Sequence, residues 1–215
     1  MKKFILVLIA LSSLLSFQLA ASDLHLGQAV IVATLDGGFE YAEVEGFFSD
    51  KIGIRYWDSA NGSYTGAQYR ADRSSIGIRT GCSDGVCIDE AVVSPTNVPA
   101  GFEFAQIAAI FPSGKLALNW WNSEKQTYTS GRVLMLRDKI GKRSGFRDGL
   151  SVGDKVLVAT GNNTFEQADI IAIFTNGTFA ITYRANHSRY IVARNILTKA
   201  FGESKDDCRK ASTKD

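Results

Sequence analysis

Past its first two dozen residues the chain reads as short runs of alternating apolar and polar side chains, broken at close intervals by Gly, Asn or Asp. Residues 27–34, Gly-Gln-Ala-Val-Ile-Val-Ala-Thr, predict a strand, because side chains two apart share one face of extended backbone. Turn signals at Asp36-Gly37-Gly38 lead into Phe39-Glu40-Tyr41-Ala42, which continues through Val44 to Phe48 as a second strand. A turn at Ser49-Asp50-Lys51 precedes a third strand at 52–57. A looser segment then carries Tyr69 and Arg73, and a short apolar strand around Ile76 closes the series. No run beyond the leader sustains helical periodicity.

The series is written three times. Phe39-Glu40-Tyr41-Ala42 with Phe48 returns as Phe102-Glu103-Phe104-Ala105 with Phe111, and as Phe165-Glu166-Gln167-Ala168 with Phe174; 102 less 39 and 165 less 102 are both 63. The third strands, at 52–57, 116–121 and 179–184, end in large rings: Tyr56 and Trp57, Trp120 and Trp121, Tyr183. Tyr69, Tyr128 and Tyr190 are each followed four residues on by Arg73, Arg132 and Arg194, and closing strands are expected near Ile76, Leu134 and Ile196. Pro95 and Pro99 interrupt the opening of the middle series. A fixed period of this size predicts one small unit used repeatedly. The units expected are 22–82, 83–144 and 145–201, each of five short strands in a small closed barrel, with a polar tail at 202–215. Units this small gain stability by packing on one another.

The order of these signals resembles the Tudor branch of SH3-like barrels. The matching residues are Gly27, Val30, Gly38, Phe39, Ala42 and Val44 in the first unit, and Gly153, Val156, Phe165, Ala168, Tyr183, Asn195, Ile196 and Leu197 in the third. The resemblance implies an all-β chain of three tandem SH3-like, Tudor-like barrels. It also implies a binding role in which ring faces at the barrel mouth attract a cation. Where cage-bearing members carry an aromatic, this chain has Glu40, Glu103 and Glu166, so that only Tyr56, Trp120 and Tyr183 remain as cage rings.

The recurrent Glu shares a strand face with Ala and Val, so it must lie at the open end of a barrel or find a cation. The expected pairs are Glu40 with Arg73, Glu103 with Arg132 and Glu166 with Arg194, pinning the barrel end or contacting a ligand. Trp57 and Trp121 alternate with inward residues. They are expected on a rim, stacked on a ligand or packed between units.

Residues 137–147 hold Arg137, Lys139, Lys142, Arg143 and Arg147 against Asp138. The segment offers a contact for nucleic acid or another anionic polymer. With Phe146 as its one aromatic it reads first as a solvated linker.

Composition narrows the class further. Lys2 and Lys3, an apolar run over 4–19 and Ala20-Ala21-Ser22 predict an export signal at 1–21, too short to span a bilayer and cleaved. The short Lys-Lys leader suggests a bacterial protein that is periplasmic or secreted. Without those two lysines, 24 basic against 22 acidic side chains come into balance, which argues against a general polyanion binder. Export puts the three Cys in an oxidising compartment. Cys82 with Cys87 across Ser83-Asp84-Gly85-Val86 is the expected bridge, and a bond from Cys208 to either is the competing pattern. His25 and His187 stand apart from any nucleophile, and zinc spacing and phosphate loops are missing. The expectation is a non-catalytic binding or scaffolding module of the cell envelope, without cofactor or metal, recognising a protein or cell-wall polymer. The alternative is a purely structural interaction component.

Overall fold

The computed structural model describes residues 24–96, 100–129, 131–161 and 163–200; the expected leader, the tail and Cys208 lie outside them. Among the described residues the protein is all-β, with three 3-10 turns and no α-helix. The strands are β1 (Ala29–Ala33), β2 (Phe39–Phe47), β3 (Lys51–Tyr56), β4 (Gln68–Asp72), β5 (Ile76–Ile78), β6 (Cys82–Ser83), β7 (Val86–Cys87), β8 (Ala91–Pro95), β9 (Phe102–Ile110) and β10 (Lys115–Trp120). They continue as β11 (Arg132–Leu136), β12 (Gly141–Lys142), β13 (Phe146–Arg147), β14 (Leu150–Ser151), β15 (Lys155–Gly161), β16 (Thr164–Phe174), β17 (Thr178–Tyr183), β18 (Arg189–Ala193) and β19 (Leu197–Lys199). The chain divides into two compact units: residues up to Ala91 with Phe104–Arg137, and Val92–Glu103 with the residues from Asp138 on.

In the first unit β1 to β5 pair antiparallel in the order β5-β1-β2-β3-β4. Alternation decides which side chains they bury together. Val30, Val32, Ala42, Val44, Ile52, Ile54, Ala71 and Ile76 converge on one interior, with Tyr56 packed against it. Ile31 and Phe39 point the other way yet are also buried, for β9, β10 and β11 cover them with Ala108, Ala109, Phe111 and Ala117. A Cβ on Gly77 would meet the Phe111 ring at 2.9 Å, so only glycine allows β5 to run this close beneath it.

The second unit uses the same order, β19-β15-β16-β17-β18, around Val156, Val158, Ala168, Ile170, Phe179, Ile181 and Leu197. In that unit β12 also pairs with β8 and β16, and a Cβ on Gly141 would meet Val93 at 2.6 Å and Phe174 at 2.9 Å. The second strand of each series carries a register shift at one recurrent place, between Val44 and Gly46, Ile107 and Ala109, and Ile170 and Ala172. A bulge there sharpens the twist that curls each sheet over its interior.

Closed barrels were expected. The ladders instead leave each five-strand order open, because no pairing joins β4 to β5 or β18 to β19 among the described residues. A 3-10 turn intervenes in both cases, Arg73–Ser75 and Arg194–Ile196, and turns the chain off the ladder before the last strand. The segment at 137–147 is no solvated linker. It supplies a 3-10 turn, β12 and β13, while Arg137 pairs with Asp84 at 2.8 Å and Arg147 donates to the carbonyls of Phe174 and Thr175.

Cys82 and Cys87 are disulfide-bonded opposite one another across β6–β7. The turn between them holds Asp84 and Gly85 at positive φ, as Asp148 and Gly149 do between β13 and β14, the geometry that matches strand twist in a two-residue hairpin. The second hairpin forms without a bridge, so turn chemistry suffices. Replacing both cysteines with serine is therefore expected to cost at most about 2 kcal/mol by urea titration, the chain-entropy value for so short a loop. Hydrogen exchange should show the β6–β7 amides still protected.

Candidate functional site

The recurrent Glu places the site, because its partners differ from those expected. Glu40 takes the guanidinium of Arg132 at 2.5 Å, and Glu103 that of Arg189 at 2.8 Å. Neither partner follows in the Glu's own series. Arg132 opens β11 and Arg189 opens β18, the fourth strand of the next series along the chain. The expected pairs Glu40–Arg73, Glu103–Arg132 and Glu166–Arg194 are corrected accordingly. Arg73, Arg137 and Arg194 are the true counterparts, each opening a 3-10 turn, and Arg194 donates to the carbonyls of Asp148 and Leu197. The spacing Tyr-x-x-x-Arg misled because Tyr128 and Arg132 stand earlier in their series than Tyr69 and Arg73 do, while the shorter loop at 184–188 in the third series brings Arg194 close to the expected period. Tyr128 belongs with Tyr64, not with Tyr69 and Tyr190: Trp121 meets Tyr128 as Trp57 meets Tyr64, both pairs at 4.9 Å between ring centroids.

Each Glu–Arg pair sits beside a buried ring and a backbone bond of the same kind. In the first unit Phe39 is 2 % exposed, Arg132 lies 4.8 Å over the ring of Tyr41, Asn119 donates to the Tyr41 hydroxyl at 2.8 Å, and the Leu134 N–H donates to the carbonyl of Gly37 at 3.2 Å. In the second unit Phe102 is 2 % exposed, Arg189 lies 6.0 Å over its ring, and the Ile191 N–H donates to the carbonyl of Ala100 at 2.6 Å. Gly37 and Ala100 both take positive φ, which turns that carbonyl outward. The ion pairs are roughly half exposed, so each contributes at most about 1 kcal/mol and mainly fixes register. The ring burial supplies the larger share.

The third member of the series lacks such cover. Phe165 is 62 % exposed, Glu166 and Gln167 are exposed, and Glu166 has no ion pair among the described residues. Asn163, the counterpart of Gly37 and Ala100, again has positive φ. Beside this edge Tyr183 and Tyr190 meet at 5.6 Å and 70°. Partial burial, then the carboxylate of Glu166, then Tyr190 push the Tyr183 phenol above its ordinary value. Tyr56 forms the matching pair with Tyr69 at 5.8 Å, its phenol raised by burial, by Tyr69 and by Glu40.

The other ring positions expected at the site are spent locally. Trp57 remains exposed, yet with Trp121 it folds onto its own loop, where the bridges Asp58–Ser63 and Asn122–Thr127 close the turn. Trp120 is half-buried over Gly131 and its Nε1 has no hydrogen-bond partner among the described residues. Among the described residues no three His, Cys, Asp or Glu gather as metal ligands. Sequence reasoning missed Arg189, Tyr41, Tyr69 and Tyr190. The signal for the arginine was its place at the head of the fourth strand, visible once Arg55↔Gln68, Asn119↔Arg132 and Thr182↔Arg189 are aligned as ladder partners.

No protein-family model matches the chain, and no curated protein matches it. Among solved structures it is similar to the crystal structure of the four MBT repeats of Drosophila melanogaster Sfmbt in complex with the peptide RHR (me)K VLR, at a TM-score of 0.25 and 9 % identity. That match covers 82 % of this chain, which spans 64 % of the other.

Two outcomes follow from the contrast between the covered and uncovered edges. Phe39→Ala should cost about 3 kcal/mol in urea unfolding and Phe165→Ala less than about 0.5 kcal/mol. Glu166→Gln removes a negative charge that disfavours the phenolate, so ultraviolet titration should show the Tyr183 midpoint moving down.

Proposed function

We propose that this chain is a non-catalytic, exported protein-binding module of the bacterial envelope, built of three SH3-like repeats, and that it docks a partner on the edge formed by Phe165, Glu166 and Tyr183. One observation carries this reading. Two of the three equivalent carboxylates hold an arginine from a neighbouring strand, and the third is without one among the described residues. The ligand chemistry is therefore already written inside the molecule: a strand edge that offers a guanidinium to Glu166, a cavity to Phe165 and a backbone N–H to the carbonyl of Asn163. Aromatic faces at Tyr183 and Tyr190 favour the same cation. Export rests on the leader pattern of residues 1–21. The basic segment 137–147 supports a nucleic-acid reading poorly, because Arg137 and Arg147 are committed to Asp84 and to backbone carbonyls.

A photo-reactive residue at position 165 should capture a protein from an envelope extract. Glu166→Arg should lower that yield at least about tenfold, and Trp57→Ala or Trp121→Ala should leave it unchanged. Capture that survives Glu166→Arg but fails in the tryptophan variants would move the site to the loop aromatics and sink this reading.

A further inference from the structure

The outer face of β2, β3 and β4 carries an open groove of about 390 Å³ lined by Gly46, Phe48, Gly53, Gln68, Tyr69 and Arg70, with Glu45 at its edge. These positions have counterparts that are filled elsewhere in the same unit. By ladder and bulge position Gly46 and Gly53 correspond to Ala109 and Ala117, Phe48 to Phe111, and Gln68 and Arg70 to Arg132 and Leu134. That set of counterparts is the surface that receives Ile31, Phe39 and Glu40. The groove is thus the receiving half of a junction whose inserting half is not present in its own unit. Two glycines in place of two alanines deepen it, and Phe48 stays 42 % exposed.

The inserting half is the uncovered edge described above. Phe165, Glu166 and Asn163 stand where Phe39, Glu40 and Gly37 stand at the covered junction, two periods further along the chain. We infer that the partner of that edge is a second copy of this chain, which offers its β2–β4 groove head to tail. The inference rests on the docking reading above and names its occupant.

The match extends to each contact type. Phe165 enters the hollow over Gly46, beside the Phe48 ring that lies over Gly53, as Phe39 packs with Ala109, Phe111 and Ala117. The Arg70 N–H takes the carbonyl of Asn163, as the Leu134 N–H takes that of Gly37. The arginine position is held by Gln68, whose ladder partner Arg55 is paired with Glu45; Gln68 also donates to that carboxylate at 2.8 Å, so Glu166 takes Arg55 by displacing Glu45 from it. Arg70 already stacks on Phe48, with its guanidinium 4.1 Å from the ring centroid, which adds positive charge to the receiving wall. Because the inserting and receiving patches differ, the contact is heterologous and generates a ring or an open chain of copies rather than a two-fold dimer.

Sedimentation velocity of the full-length chain over a wide concentration range should show mass rising above the 23.4 kDa monomer. Glu166→Arg should raise the concentration needed at least about tenfold, and Gly46→Gln should do the same by filling the groove. A Cβ at Gly46 meets nothing within 4 Å and Glu166 is exposed, so both variants should keep the unfolding midpoint of the parent. Glu166→Arg combined with Gln68→Glu reverses the charge on the inserting half and adds the opposite charge to the receiving half, and should restore assembly; association driven by the apolar leader would ignore all three changes. A crosslinker at position 165 should join the β2–β4 segment of another copy. A monomer at every concentration, or a crosslink into residues 201–215 of the same chain, overturns the inference. Capture of a different protein by a monomeric chain overturns it too, while leaving the protein-docking role intact.

Discussion

A strand with apolar side chains on both faces cannot stop at one layer, and β1 with the head of β2 is such a surface. Val30, Val32, Ala42 and Val44 fill the interior under the curled sheet, yet Ile31 and Phe39 on the reverse side must also leave water. The following strands supply that cover. Burying one phenylalanine is worth roughly 2–3 kcal/mol, more than the half-exposed ion pair beside it, so hydrophobic cover drives the junction. Glu40 with Arg132 then selects its register.

From this constraint follows the division of labour among residue types. Small residues at Ala109 and Ala117 let the ring approach the sheet, and Gly77 lets the fifth strand pass under Phe111 without a side chain in the way. A residue at positive φ, Gly37 or Ala100, aims a carbonyl at the neighbour's fourth strand. The Arg of the second and third 3-10 turns serves another purpose, tying the end of a series to the hairpin that began it, Arg137 through Asp84 and Arg194 through Asp148.

An exposed aromatic ring is costly to leave in water unless something covers it. Phe165 stands exposed, next to a carboxylate without an ion pair among the described residues and two tyrosines. In the first unit a groove with Gly46 and Gly53 in its lining lies on β2–β4. The tryptophan rings, by contrast, are occupied by their own loops.

The amino-acid order by itself determined the strand segments, the period of 63 and the inward face of each second strand, and favoured the Cys82–Cys87 bridge that the structure contains, because alternation, turn residues and short loops act over a few positions. Only the tertiary structure decided which cations meet Glu40 and Glu103, and that Phe39 and Phe102 are covered while Phe165 is not. Period-2 alternation says that a side chain leaves the interior face. It cannot say what lies across from it, because that depends on the next strands folding over and on loop lengths that shift an arginine out of the apparent register.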